Sequence, residues 1–289
     1  MDFRTDLALE KHEIIKASAP KGVTSNQYNK GGISFTKICV TDDEGSKALG
    51  KPIGTYITAE IPSLSLYSPV DENIIAALAD ELRGLIPKDG AVLAVGLGNT
   101  DITPDAVGPK SISMLLATRH LSRELIRSTG LESLRPTAGL ITGVMGKTGI
   151  ESAESIKGIV NTVQPSAVIV VDALAARRIS RLGNTIQISD AGISPGSGVG
   201  NTRAIISYYT IGVPVISIGI PTVVYAQTLV NDLIGSDTQI SDNESREMIV
   251  TPREIDLVID RASRLIGLTI NKALQPQLSI DEIMMLVGN

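Results

Sequence analysis

The sequence predicts an α/β fold, a three-layer sandwich around a mainly parallel sheet, and three observations support it. Apolar runs of strand length recur without polar alternation at Ala91–Gly96, Ala167–Val171 and Val213–Gly219, the pattern of strands buried on both faces. Stretches with helical spacing separate them, and a strand–helix–strand rhythm calls for right-handed crossovers with helices on both sides of the sheet. A chain of 289 residues that is 43% apolar can fill such a core, and with 20% charged residues it is neither disordered nor fibrous. Residues 1–289 read as one domain.

The elements follow in order. Between Gly31 and Ile61 two β-rich runs, Ile33–Val40 and Gly54–Ile61, flank a short polar segment and are expected to form a small antiparallel addition over residues 31–61. Ile74, Ile75, Leu78, Leu82 and Leu85 then mark a helix, with Pro69 near its start. Alternation continues with a strand at Ala91–Gly96, a helix over Pro109–Ser128, a strand at Thr137–Thr142, a helix over Ile150–Val163 and a strand at Ala167–Asp172. A short helical run after Asp172 leads to the strand Thr185–Ser189, and the strand Val213–Gly219 precedes a helix from about Val223. The polar interval Gly235–Glu247 is expected to be a mobile surface loop. Thr251-Pro-Arg-Glu has the order of cap, first-turn proline and acid that opens a helix, whose apolar face is Ile255, Ile259, Ala262, Ile266 and Ile270.

Composition removes several functional classes. A net charge of −5 offers no general attraction to nucleic acid or to an anionic membrane, and 3% aromatic residues without tryptophan provide no base-stacking platform. Cys39 is the single cysteine, which excludes an intrachain disulfide and a multi-cysteine metal site and fits an intracellular protein. The charged opening Met1-Asp-Phe-Arg-Thr-Asp is unlike a secretory signal, and no apolar run reaches bilayer length. A cytoplasmic location follows as the expectation.

Several motif matches fail on chemistry. Gly146-Lys-Thr148 resembles the end of a P-loop, but Ile141 stands where the first glycine must let backbone amides surround phosphate. Gly96-Leu-Gly98 begins a dinucleotide fingerprint whose third glycine is replaced by Asp101, an acid that repels pyrophosphate. Ser197 lies in Pro195-Gly-Ser-Gly-Val, which is not a nucleophile elbow, and the glycines over Gly192–Gly200 read instead as a tight loop whose amides line a site. His12 sits in a charged stretch and reads as exposed; His120 lies among apolar neighbours and reads as structural.

Two carboxylates are left. Asp105 follows Thr103-Pro104 at a helix entry, and Asp172 ends an apolar strand. Either acid alone suits a helix N-terminus, just as Asp101 suits a loop and Asp190 a turn. Together, on strands that deliver their carboxyl ends to one rim, Asp105 and Asp172 form a candidate catalytic pair.

The segments Arg4–Glu10, Val95–Pro109, Gly143–Glu151, Ile169–Arg177, Ile186–Asn201 and Gly212–Val224 resemble, in order and over most of the chain, the germination proteases of spore-forming bacteria. The resemblance implies an endopeptidase that degrades small acid-soluble spore proteins, with a fold related to hydrogenase maturation proteases and functional aspartates at Asp105 and Asp172. It implies a homotetramer in the cytoplasm of the spore core, without cofactor or metal. Relatives are made as zymogens with a removable N-terminal segment, and little sequence precedes Arg4-Thr-Asp here, so the chain reads as a mature form or one with a very short pro-segment. The interval Gly235–Glu247 also looks shorter than an insertion in some relatives.

A carboxylate pair suits peptide hydrolysis because two nearby acids resist ionising together, leaving a base and an acid at one pH. Backbone amides at Gly96–Asn99 or Gly196–Asn201 are candidates to stabilise the oxyanion, each worth about 3–4 kcal/mol in enzymes that use such donors. Asn99, Asp101, Gly198 and Asn201 are accordingly expected to contact substrate. The family's substrates are cut beside glutamate, and Lys110, Lys147, Arg177 or Arg178 is expected to recognise the acidic side chain. Two alternatives belong to other classes: a metal-dependent maturation protease of the related fold, and a non-enzymatic module whose glycine loops bind an anion.

Overall fold

The computed structural model describes residues 4–15, 20–66, 71–121, 134–196, 203–234, 240, 244–245 and 248–287. Among these, one sheet holds strands β1 (Val23–Lys30), β2 (Ile33–Val40), β3 (Gly54–Glu60), β4 (Val92–Leu97), β5 (Thr137–Gly143), β6 (Ala167–Ala176), β7 (Thr185–Ser189), β8 (Val215–Tyr225) and β9 (Ile249–Val250). Their order is β1-β2-β3-β7-β8-β6-β4-β5, with β9 added beside β8. The sheet is mixed. Strands β5, β4, β6 and β8 run parallel, whereas β8, β7, β3, β2 and β1 pair antiparallel.

Alternate residues of the parallel strands fill two separate layers. On one face Val92, Ala94, Ile169 and Val171 join the large core with helices α3 (Glu72–Leu85) and α7 (Ile255–Leu274). Facing the other way, Leu93, Val95, Val168 and Val170 pack with Ile156 and Val160 of α5 (Ser152–Val163). Burial on both faces explains the unbroken apolar runs and gives the three layers. Helices α1 (Ala8–Ile15) and α2 (Asp43–Leu49) cover β2 and β3 through Leu9, Leu49, Ile38 and Tyr56. Among the described residues no helix is long and apolar enough to cross a membrane.

The structure extends the β-rich addition and changes several other sequence expectations. The 31–61 addition is continuous with the main sheet, because β3 pairs with β7 from Tyr56↔Ser189 to Glu60↔Thr185, and β1 lengthens it further. Strand β1 is polar and mostly exposed, so its sequence has no apolar face to read; Tyr28, stacked on Phe35 at 5.4 Å, is its anchor. The helix expected over Pro109–Ser128 is short, α4 (Val107–Ser113). Beyond it, Asn271 of α7 accepts from Leu116 N–H at 2.8 Å and donates to Met114 O at 2.8 Å, so tertiary bonds replace helical ones. His120 therefore lies in an exposed turn, and residues 122–128 fall outside the described residues. Strand β6 also runs on through Ala173–Ala176 where a helical run was expected, and β8 continues to Tyr225 before α6 (Ala226–Ile234), since the two extensions pair with each other. Thr251 donates to Thr222 O at 2.9 Å instead of capping α7, which begins at Ile255. Most of the interval Gly235–Glu247 lies outside the described residues.

Candidate active site

Close packing around glycine builds the first half of the site. Gly98, at φ +110°, turns the chain after β4, and a Cβ there would lie 2.0 Å from Asp105 O. At Gly108 a Cβ would lie 2.2 Å from Leu97 O and 2.6 Å from Val171 O, so the first turn of α4 rests directly on β4 and β6. The glycines that looked like phosphate binders thus let the turn Thr103–Asp105 fold back over the end of β4. There Asp105 Oδ2 accepts from Asn99 N–H at 2.8 Å, which fixes the carboxylate's direction.

Register supplies the other half. Gly96 pairs with Val171, placing Asp172 level with Leu97 at the end of β4, while β6 and β8 extend beyond to form a wall. Asp172 is 6% exposed, and its Oδ1 accepts from Ala173 N–H at 3.0 Å. Asp105 and Asp172 line one cavity of about 470 Å³, together with Gly98, Asn99, Asp6 and Arg203. A second cavity of about 250 Å³ shares Asp6, Asp172, Leu174 and Gly196 with the first and reaches Lys51.

The two acids experience different fields. Burial pushes the Asp172 carboxyl well above the usual carboxylate range, and the charges of Asp105 and Asp6 push it further; Ala173 N–H and Arg203 oppose this. Burial also raises Asp105, but the Asn99 N–H and the Arg203 guanidinium favour its charged form. Both carboxyls are raised, Asp172 the further, so of the two Asp172 is the one that holds a proton more readily. The arrangement can present an acid and a base to one bound molecule.

The expected substrate contacts divide. Asn99 lines the cavity, but its N–H is engaged by Asp105 and its Oδ1 accepts from Asp101 N–H at 3.1 Å, so that amide is no oxyanion donor in this arrangement. Asp101 and Lys147 form an ion pair outside the cavity wall, and the lysine's hydrogen bond lowers the Asp101 pKa. Lys110 is exposed on α4 and does not line the cavity. Nor do Arg177 and Arg178: Arg177 pairs with Asp232 of α6 at 2.8 Å, and Arg178 with Glu13 of α1 at 3.3 Å. Gly198 and Asn201 lie outside the described residues.

Sequence reasoning did not single out Asp6 or Arg203. Asp6 reaches the site through an N-terminal segment clipped to β6. Its N–H donates to Ala175 O at 2.9 Å, and its Oδ2 accepts from Ala175 N–H at 2.8 Å. The Asp6 carbonyl accepts from Lys51 Nζ at 2.9 Å and from Gln187 Nε2 at 3.1 Å. Glu10, only 1% exposed, accepts from the N–H groups of Arg177 at 2.6 Å and Arg178 at 3.0 Å, closing the end of β6. The signal for Asp6 was its place in Arg4–Glu10, but 166 residues separate it from Asp172 in the sequence, and only the fold brings them together.

Fold and site together define an α/β protein with paired carboxylates at the carboxyl edge of parallel strands. Among the described residues no cluster of three or more His, Cys, Asp or Glu side chains is suited to a metal ion. A sequence model of the germination protease family matches residues 4–237. The germination protease of Clostridium tetani is 42% identical over 98% of this chain and 98% of its own, and that of Caldanaerobacter subterraneus 41% identical over 98% and 97%. The Priestia megaterium germination protease is 44% identical over 80% of this chain and 66% of its own. The chain belongs to the germination protease family, and it is a protease. Among solved structures, a [NiFe] hydrogenase maturation protease HycI from Thermococcus kodakarensis is similar at 17% identity and a TM-score of 0.37, covering 66% of this chain and 98% of that one. The α/β class stands on the sheet itself.

Proposed function

We propose that this protease is an endopeptidase of atypical aspartic type, with Asp105 as base and Asp172 as acid, that initiates degradation of small acid-soluble spore proteins in the spore-core cytoplasm. The single observation that carries the reading is one cavity lined by both Asp105 and Asp172, with Asp172 the more deeply buried of the two and its carboxyl raised well above the usual range. Ionised Asp105 takes a proton from water as the water oxygen attacks the peptide carbonyl carbon. Asp172 gives its proton to the carbonyl oxygen, forming a neutral gem-diol. Asp105 then protonates the departing nitrogen, the C–N bond breaks, and Asp172 recovers a proton from one gem-diol hydroxyl. Both carboxyls return to their starting states.

Among the described residues Arg203 is the cation on the cavity wall, so it replaces Lys110, Lys147, Arg177 and Arg178 as our candidate to meet an acidic side chain beside the scissile bond. Assembly as a homotetramer is proposed from the resemblance, and exposed Tyr208 and Tyr209, the latter 95% exposed, are suitable apolar contacts. The test is incubation of purified protein with a small acid-soluble spore protein, with fragments identified by mass. Asp105→Asn and Asp172→Asn, each folded by circular dichroism, should lose cleavage by about 100-fold or more. Full activity in either variant would refute the pair.

A further inference from the structure

Strand β6 outruns its neighbour on one side only. Toward β8 its pairing continues to Ala176↔Val224, whereas toward β4 it ends at Gly96↔Val171. Residues 172–176 therefore border a lane that, among the described residues, no strand fills. Alternation decides which main-chain groups face it. Val168 N–H donates to Pro214 O, just ahead of β8, at 2.9 Å, which turns the even-numbered residues of β6 toward β8 and the odd-numbered ones, Ala173 and Ala175, toward the lane. Ala175 agrees, because its N–H and its carbonyl both bond Asp6. We propose that this lane is the main-chain docking site of the substrate, where an extended peptide adds to the free edge of β6 and brings one of its carbonyls to Asp105 and Asp172.

The lane begins at the two acids. Asp172 is its first residue on β6, Asp105 stands in the turn that folds back over the end of β4, and Ala173, Leu174 and Ala175 line the same cavity of about 470 Å³. Ala173 N–H is taken by Asp172 Oδ1 at 3.0 Å, but among the described residues no donor on the lane side reaches the Ala173 carbonyl. A strand carbonyl that faces a cavity without a donor is open to the N–H of a bound chain. Two residues on, Asp6 N–H donates to Ala175 O at 2.9 Å, so the lane has the width for an extended chain. The substrate would donate one N–H to Ala173 O and a second, in place of Asp6, to Ala175 O. Such bonds hold any extended segment, and the choice among segments falls to side chains that line the cavity, Arg203 among them.

This inference rests on the reading that the cavity is the active site, and its test separates the two. A peptide spanning the bond cut in a small acid-soluble spore protein is made in versions N-methylated at one residue at a time, the scissile amide excepted. Cleavage by wild type and binding to folded Asp105→Asn are measured for each. N-methylation removes one donor, and bonds to a single strand edge use every second residue. Both kcat/KM and affinity should fall about tenfold at alternate residues and hold at those between. The unmethylated peptide carrying a benzophenone side chain is also photo-cross-linked to Asp105→Asn, and the adducts, located by mass, should include β6 between Asp172 and Ala176. Losses at consecutive residues, no loss at any residue, or adducts confined to segments away from β6 would overturn the lane. Cleavage by Asp105→Asn or Asp172→Asn with the alternation and the β6 adducts intact sinks the pair and leaves the lane; inactivity of both variants without the alternation sinks only the lane.

Discussion

The parallel and antiparallel halves of the sheet carry different burdens. In the parallel half, β4 and β6 are buried on both faces; the turn after β4 holds Asp105, and β6 itself holds Asp172. In the antiparallel half, β1 is mostly exposed and β2 partly so, and the residues that approach the site, Lys51 and Gln187, hold the N-terminal segment by its backbone. Parallel strands gather consecutive loops at one edge, so acids distant in sequence meet there; antiparallel hairpins send alternate connections to opposite edges. In the proposed mechanism the first half makes the chemistry, and the second half braces it. Asp6 is the point at which the brace enters the site.

Substitutions in the two halves should therefore differ in kind and size. The largest effect is expected at Gly98, where alanine would require an L side chain at φ +110° with its Cβ 2.0 Å from Asp105 O. Gly98→Ala should cost about 3 kcal/mol or more in chemical unfolding and displace Asp105, abolishing cleavage; a stable, active variant would break the claim that this turn is fixed by backbone contact.

An intermediate effect is expected at Asp172. Its folded-state pKa is raised, so its contribution to stability is complete below the unfolded carboxylate value and is lost as pH rises through the folded value. Asp172→Asn removes that loss. Thermal melts should show the variant gaining on wild type as pH increases across this window, reaching an advantage on the order of 1 kcal/mol at neutral pH, while activity is absent. A constant difference between variant and wild type at every pH would show that Asp172 is not held protonated.

The smallest effect belongs to the far edge. Tyr28 on β1 stacks on Phe35 of β2, and Tyr28→Ala should cost about 1 kcal/mol and leave kcat/KM unchanged, as read by melting and by the cleavage assay. A large loss of activity there would show that the antiparallel half does more than brace.

Much of the parallel half was legible in the sequence. Apolar runs without alternation marked β4, β6 and β8, and the glycines beside Asp105 marked a sharp turn, although their task is close packing and not phosphate binding. The end of β6 was not legible, because Ala-Leu-Ala-Ala favours helix on local propensity and becomes strand through pairing with β8. The four basic residues expected to read substrate were chosen by position along the chain. Arg177 shows why that fails: its neighbours on β6 face the site, but its own guanidinium is held by Asp232 from α6.

The sequence by itself determined the α/β class and the apolar strands and drew attention to the two acids, because burial on both faces and the turn chemistry of glycine and proline leave local patterns. Only the tertiary structure decided that the sheet is mixed, that Asn99 orients Asp105, and that Asp6 and Arg203 complete the surroundings of Asp172. These depend on register and on fields between groups far apart in the chain. No local pattern encodes them.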